Sequence, residues 1–104
     1  MRPEIRALLT WVQDINWPVA LPIIEVLSEY GADLVEPITE VLQGNDEAWK
    51  YYLIVYLIPR IEMSAVKELE PEILRIALFP TKAELSEEVN EVAEEFIKVL
   101  RANA

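Results

Sequence analysis

Two phrases of the same form, Asp14-Ile-Asn-Trp17-Pro-Val-Ala-Leu21 and Asp46-Glu-Ala-Trp49-Lys-Tyr-Tyr-Leu53, constrain the fold more than any other feature of this chain. Each sets an acid three residues before a tryptophan and a leucine four residues after it. A side-chain carboxylate accepts from the free N–H groups of a first helical turn, so each phrase reads as a helix start. A second echo follows at nearly the same interval, Glu36-Pro37-Ile38 returning as Glu70-Pro71-Glu72-Ile73. A unit of about 32–34 residues, one deep helix and one shallower partner, is the period of helical-repeat proteins. With about two units and flanking helices the chain is a minimal stack, its outer helices closing the ends.

The rest of the sequence agrees with a helical domain. Its 104 residues, 53% of them apolar, suffice for one core and one domain spanning 1–104. Only two glycines occur, too few for the tight turns of a strand-rich fold. Pro3 suits a first turn, and Ile5, Leu8, Leu9 and Val12 then give a helix over about 3–13. Asp14 as an N-cap would put Pro18 at N4, so Asn16 is the better cap for the second helix, with Trp17 and Pro18 in its first turn and Gly31 as its stop.

Asp33 and Glu36 form a capping box for the third helix, with Pro37 still in its first turn, and Gly44 ends it. Asp46 caps the fourth, whose body Trp49–Ile58 is apolar nearly all round and is therefore expected to be enclosed; Pro59 marks its end or a kink. Ser64 begins a short turn, Glu70-Pro71 opens another helix to Leu78, and Thr81 with Glu84 starts a last one running to about 101. That last helix carries the stripe Leu85, Val89, Val92, Phe96 and Leu100.

Asp14 to Ala20, the Trp49-Lys50-Tyr51-Tyr52 stretch and Ala77-x-x-Pro80-Thr81-x-x-Glu84 together resemble a family of small uncharacterised bacterial helical domains with Asn-Trp-Pro-Val-Ala and Trp-Lys-Tyr-Tyr phrases. The resemblance covers nearly the whole chain. It implies a HEAT-like fold and transfers no catalytic residue. The expected architecture is thus all-α, a short HEAT-like helical-repeat stack (a right-handed α-α superhelix) of about five to six helices.

Composition excludes much chemistry. There is no cysteine, hence no disulfide or thiol nucleophile, and no histidine, the usual proton shuttle and transition-metal ligand. Zinc sites and His-dependent triads are thereby ruled out, and no cofactor is expected. Nineteen acids against nine bases leave a net charge of −10 without a basic cluster, which argues against nucleic acid and anionic membranes as partners. The longest apolar run, Tyr51 to Ile58, is eight residues, where a membrane span needs about 20. The first residues lead into no apolar signal segment, so a cytoplasmic protein is expected.

Trp17 and Trp49 are each explained by burial, which hides about 150–250 Å² of side chain. Lys50 is expected to snorkel outward, with Tyr51, Tyr52 and Tyr56 keeping their rings in the core. Thr81-Lys-Ala-Glu84 is a capping box, not a Thr nucleophile with a Lys base, because no third group orients it. The glutamates of the last helix make a solvated face, and neither a di-metal motif nor a calcium loop is present.

Glu25, Glu29, Asp33, Glu36 and Glu40 are more informative, since no base lies between residues 7 and 49. Glu25/Glu29 and Glu36/Glu40 are like-charge i, i+4 pairs that folding does not favour. The expected function is protein binding through this acidic surface. An immunity- or antitoxin-like protein that blocks a basic toxin or nuclease, or a small adaptor, would fit. No enzyme activity is expected, the alternative being a small-ligand pocket or histidine-independent enzyme built from Asp14, Trp17, Trp49, Lys50 and Tyr52. The chain is expected to be a monomer or a weak homodimer, the latter through exposed apolar residues such as Trp11.

Overall fold

Short apolar stripes punctuated by prolines give short helices, and a computed structural model of the chain, describing residues 3–14 and 16–102, is helical in every regular element. The elements are α1 (Pro3–Thr10), α2 (Ala20–Leu27), α3 (Gly31–Leu42), α4 (Glu47–Tyr52), α5 (Met63–Leu78), α6 (Lys82–Ser86) and α7 (Val89–Ala102). Among the described residues there are thus seven α-helices where five to six were expected. Between α4 and α5 the helix runs on through a π turn, Leu53–Leu57, and a 3₁₀ turn, Ile58–Arg60. Only α3, of 12 residues, α5, of 16 residues, and α7, of 14 residues, reach the length of about 12–15 at which a helix begins to persist alone. The others depend on packing. Accordingly Ile5, Leu9, Ile24, Leu27, Leu34, Ile38, Leu53, Leu57, Leu69, Ile73, Val89 and Ala93 belong to one buried cluster drawn from α1, α2, α3, α5, the π turn and α7. Truncating one of its larger members to alanine would cost about 2–5 kcal/mol.

Helix α5 is the centre of the arrangement, with α3 on it and α7 against it. Helix α1 touches both α2 and α3, and the π turn lies against α2 and α7.

Several helix boundaries differ from the sequence expectation, mostly at prolines and glycines. The second helix starts at Ala20, not at Asn16, and Val19 precedes it without a side-chain cap. Asp14 Oδ1 instead accepts from the Asn16 N–H at 2.9 Å, an Asx-type turn that Pro18 follows. Gly31 opens α3 instead of closing α2, and glycine suits this position because a Cβ there would meet the Glu62 Cγ at 2.6 Å. Asp33 is consequently inside the first turn of α3 and not its cap, while Pro37 lies buried in the helix body.

Pro71 likewise lies within α5, where two helices had been expected. A proline there gives up one backbone hydrogen bond. The buried residues Ala65, Val66 and Leu69 before it and Ile73, Ile76 and Ala77 after it nevertheless form one continuous stripe, so packing on both sides outweighs the loss.

The expected last helix is two helices, α6 and α7, broken at Glu88, which has φ 62°. The break leaves Leu85 half exposed, while Val89, Ala93 and Ile97 are buried. A left-handed backbone is disfavoured for a residue with a Cβ by about 1–2 kcal/mol, so Glu88→Gly is expected to stabilise the domain by about 0.5–1 kcal/mol after the extra freedom of unfolded glycine is deducted. A urea midpoint that falls instead would show that the Glu88 side chain contributes more than its backbone costs.

Candidate functional site

Asp46 and Thr81 are the two side chains that cap as the sequence predicts, and they position the polar centre of the molecule. Asp46 Oδ1 accepts from the Trp49 N–H at 3.1 Å, which starts α4. Thr81 Oγ1 accepts from the Glu84 N–H at 3.1 Å, and Glu84 Oε1 accepts from the Thr81 N–H at 2.8 Å, completing the capping box of α6.

Glu84 does more than cap. It is fully buried and accepts from Lys50 Nζ at 2.7 Å and from Arg75 Nη1 and Nη2 at 3.0 and 2.8 Å. Lys50, expected at the surface, is 2% exposed. It also forms an ion pair with Glu47 Oε1 at 2.9 Å, though not in hydrogen-bonding geometry, and Glu47 is itself buried. Arg75 additionally donates to Glu72 at 2.8 Å and to the Leu42 carbonyl at 3.3 Å, and Gln43 Nε2 donates to Glu72. Helices α4, α5 and α6 and the end of α3 are thus tied through one carboxylate. Burial alone would raise the Glu84 carboxyl, but the bonds from Arg75, Lys50 and the Thr81 N–H prevail and hold it down at about 2. The same contact with Glu84 pushes the Arg75 guanidinium upward.

An open polar cleft of about 560 Å³ borders this cluster, lined by Asn45, Thr81 and Lys82 among others. The charges of the cluster answer one another, Lys50 and Arg75 against Glu47, Glu72 and Glu84. A carboxylate held ionised down to about pH 2 is no proton donor near neutrality. Among the described residues no group of three acids is placed to hold a metal ion. The arrangement is built to fix helices.

The acidic hairpin sorts into two halves. Glu25, Glu29, Asp33, Glu36 and Glu40 line it, and all five are exposed. Arg6 on α1 reaches Glu36 Oε1 at 3.7 Å and also pairs with Glu40, which gives that like-charge pair a modest folding role. Glu25 and Glu29, on α2 and the turn after it, have no ion-pair partner among the described residues.

The residues of the alternative pocket fall on separate surfaces. Asp14 is in its turn, and Trp17 is 40% exposed with its ring edge-on to Trp11, the centroids 5.7 Å apart. Trp17 is therefore not the buried wedge that its position in the repeat implies. Trp49 lines a largely apolar groove of about 320 Å³ with Leu9, Pro37, Val41 and Glu40, its indole N–H buried without a protein partner. Lys50 is in the ionic cluster, and Tyr52 packs against Tyr51 and Tyr56.

Comparison with known families adds one match: a domain of unknown function, DUF5071, covers residues 1–97. The chain belongs to the DUF5071 family. No curated protein matches it. The match takes in α1 to α6 and most of α7, so the ionic cluster and the acidic hairpin both lie within the DUF5071 domain. Sequence reasoning missed the cluster because Lys50 and Glu84 stand far apart in the chain. The one signal in the sequence was a lysine in a helix otherwise apolar on nearly every side.

Proposed function

We propose that this DUF5071 domain is a protein-binding module that engages a basic partner through the acidic outer surface of the α2–α3 hairpin. The observation that carries the proposal is that Glu25 and Glu29 are exposed, without an ion-pair partner among the described residues, in a stretch with no base between residues 7 and 49. Folding gains nothing from that charge, whereas a basic partner gains both steering and complementarity. An immunity- or antitoxin-like protein or a cytoplasmic adaptor are the concrete forms of this reading.

A HEAT-like stack suits such a role by presenting a hairpin surface on a rigid frame. In support, α3 meets α5 and α5 meets α7, each skipping one helix, while α2 meets the π turn. The chain's extents of 32 × 29 × 22 Å fit a short stack and not an extended superhelix.

The test is a pull-down with the wild type and a Glu25/Glu29/Glu36/Glu40→Lys version. A partner recovered by the wild type, released by salt and lost by the variant supports the reading. Equal recovery by both removes the surface from consideration.

A further inference from the structure

Beside the acids lies an exposed apolar patch. Trp11 and Trp17 are 49% and 40% exposed and touch edge to face, and Val19 and Leu21, which follow Trp17 closely in the chain, are exposed by 43% and 51%. Scattered apolar residues on a surface need no explanation, but two half-exposed tryptophans in contact do. Even in mutual contact, each keeps two fifths or more of its surface open to solvent. Tryptophan in such a setting is the side chain most often found at the energetic centre of an interface.

The patch has a charged border on one side. Leu21 and Glu25 are four residues apart within α2 and so share a helix face, and Glu29 lies in the turn just after the helix. Apolar anchors are therefore followed by carboxylates that have no ion-pair partner among the described residues. We propose that this face docks a basic amphipathic helix of a protein partner, its apolar side covering Trp11, Trp17 and Leu21 and its Lys or Arg residues meeting Glu25 and Glu29. The occupant follows from charge: a helix with an acidic polar face would bring like charges together at Glu25 and Glu29, and a second copy of this chain would bring its own excess of acid. This rests on the protein-binding reading above and adds the anchor residues and the partner's form.

The probes are three fluorescein-labelled peptides of about five helical turns. One places Leu on one face and Lys on the other, one has the same Leu face with Glu, and one carries Lys with Ser in place of Leu. Binding is read by anisotropy, and location by tryptophan emission in a Trp49→Phe background, where only Trp11 and Trp17 report.

The Leu/Lys peptide is expected to bind saturably, to shift the emission to the blue, and to weaken at least about tenfold between about 0.05 and 0.5 M salt. Trp11→Ala/Trp17→Ala should weaken it about tenfold or more, and Glu25→Lys/Glu29→Lys should remove most of its salt dependence. The Leu/Glu peptide should bind at least about tenfold more weakly than the Leu/Lys peptide.

Four results would overturn the proposal. One is equal binding of the Leu/Lys and Lys/Ser peptides, unaffected by the Trp changes; this leaves the acidic surface standing without its anchors. The second is Leu/Lys binding that ignores Glu25→Lys/Glu29→Lys, which defeats the acidic reading as well. The third is a dimer in light scattering that Trp11→Ala converts to monomer, which assigns the face to a second copy. The fourth is the absence of any peptide binding.

Discussion

Glu84→Ala is expected to destabilise the domain by about 3–5 kcal/mol, against about 1 kcal/mol for Thr81→Ala, as read from urea midpoints. The contrast separates two roles of one carboxylate. If Glu84 were only the reciprocal member of a capping box, either substitution would remove a cap and the costs would be similar. But Glu84 is also the acceptor for a lysine that is 2% exposed and for an arginine of α5. Removing it leaves the Lys50 ammonium buried with only the Glu47 contact, and that desolvation is the larger cost. Against a typical total of about 5–15 kcal/mol, such a loss brings the domain close to unfolding. Equal costs for the two substitutions would mean that the cluster adds nothing beyond the cap.

Acid should act on the same carboxylate. In the folded domain its pKa lies at about 2, below the ordinary 4.5, so the deprotonated form stabilises the fold. That stabilisation is complete above about pH 4.5 and is lost as the pH falls through about 2. Over that window it amounts to about 3 kcal/mol. Urea midpoints measured between these limits should fall with pH in the wild type and fall less steeply in Glu84→Gln, which starts lower but has no proton to gain at this position. Parallel profiles would show that other carboxylates, not Glu84, set the acid limit.

The local signals in this sequence were readable and the long-range ones were not. Asp46 and the Thr81–Glu84 box cap helices as expected, since both are contacts within three residues that side-chain chemistry alone dictates. Pro71 was misread for the opposite reason. Its preference for a helix start is local, and the contacts of α5 with α3 and α7 that override it come from distant chain. The twin Asp-x-x-Trp phrases diverge by the same logic. In the first, Pro18 follows Trp17 and the helix begins only at Ala20, so Trp17 reaches the surface, while Trp49 stays partly buried at the start of α4. Of the candidate sites, the acidic hairpin could be named from charge alone. Which of its members are already engaged required the position of α1, because Arg6 and Glu36 belong to different helices and meet only through the fold.

The π turn at Leu53–Leu57, where the Ile58 N–H reaches back to the Leu53 carbonyl, carries a consequence for the chain's phase. A π turn holds one residue more than the α-turn it replaces, so everything beyond it is rotated by about 100° relative to a continuous helix. Upstream of it Lys50 is aimed at α6, and downstream Ile58 and Ile61 are buried in the core. A strict α-helical period could not serve both ends at once. The surplus residue works as a gear between two segments that must face different neighbours, and losing any single residue there would turn one end out of mesh.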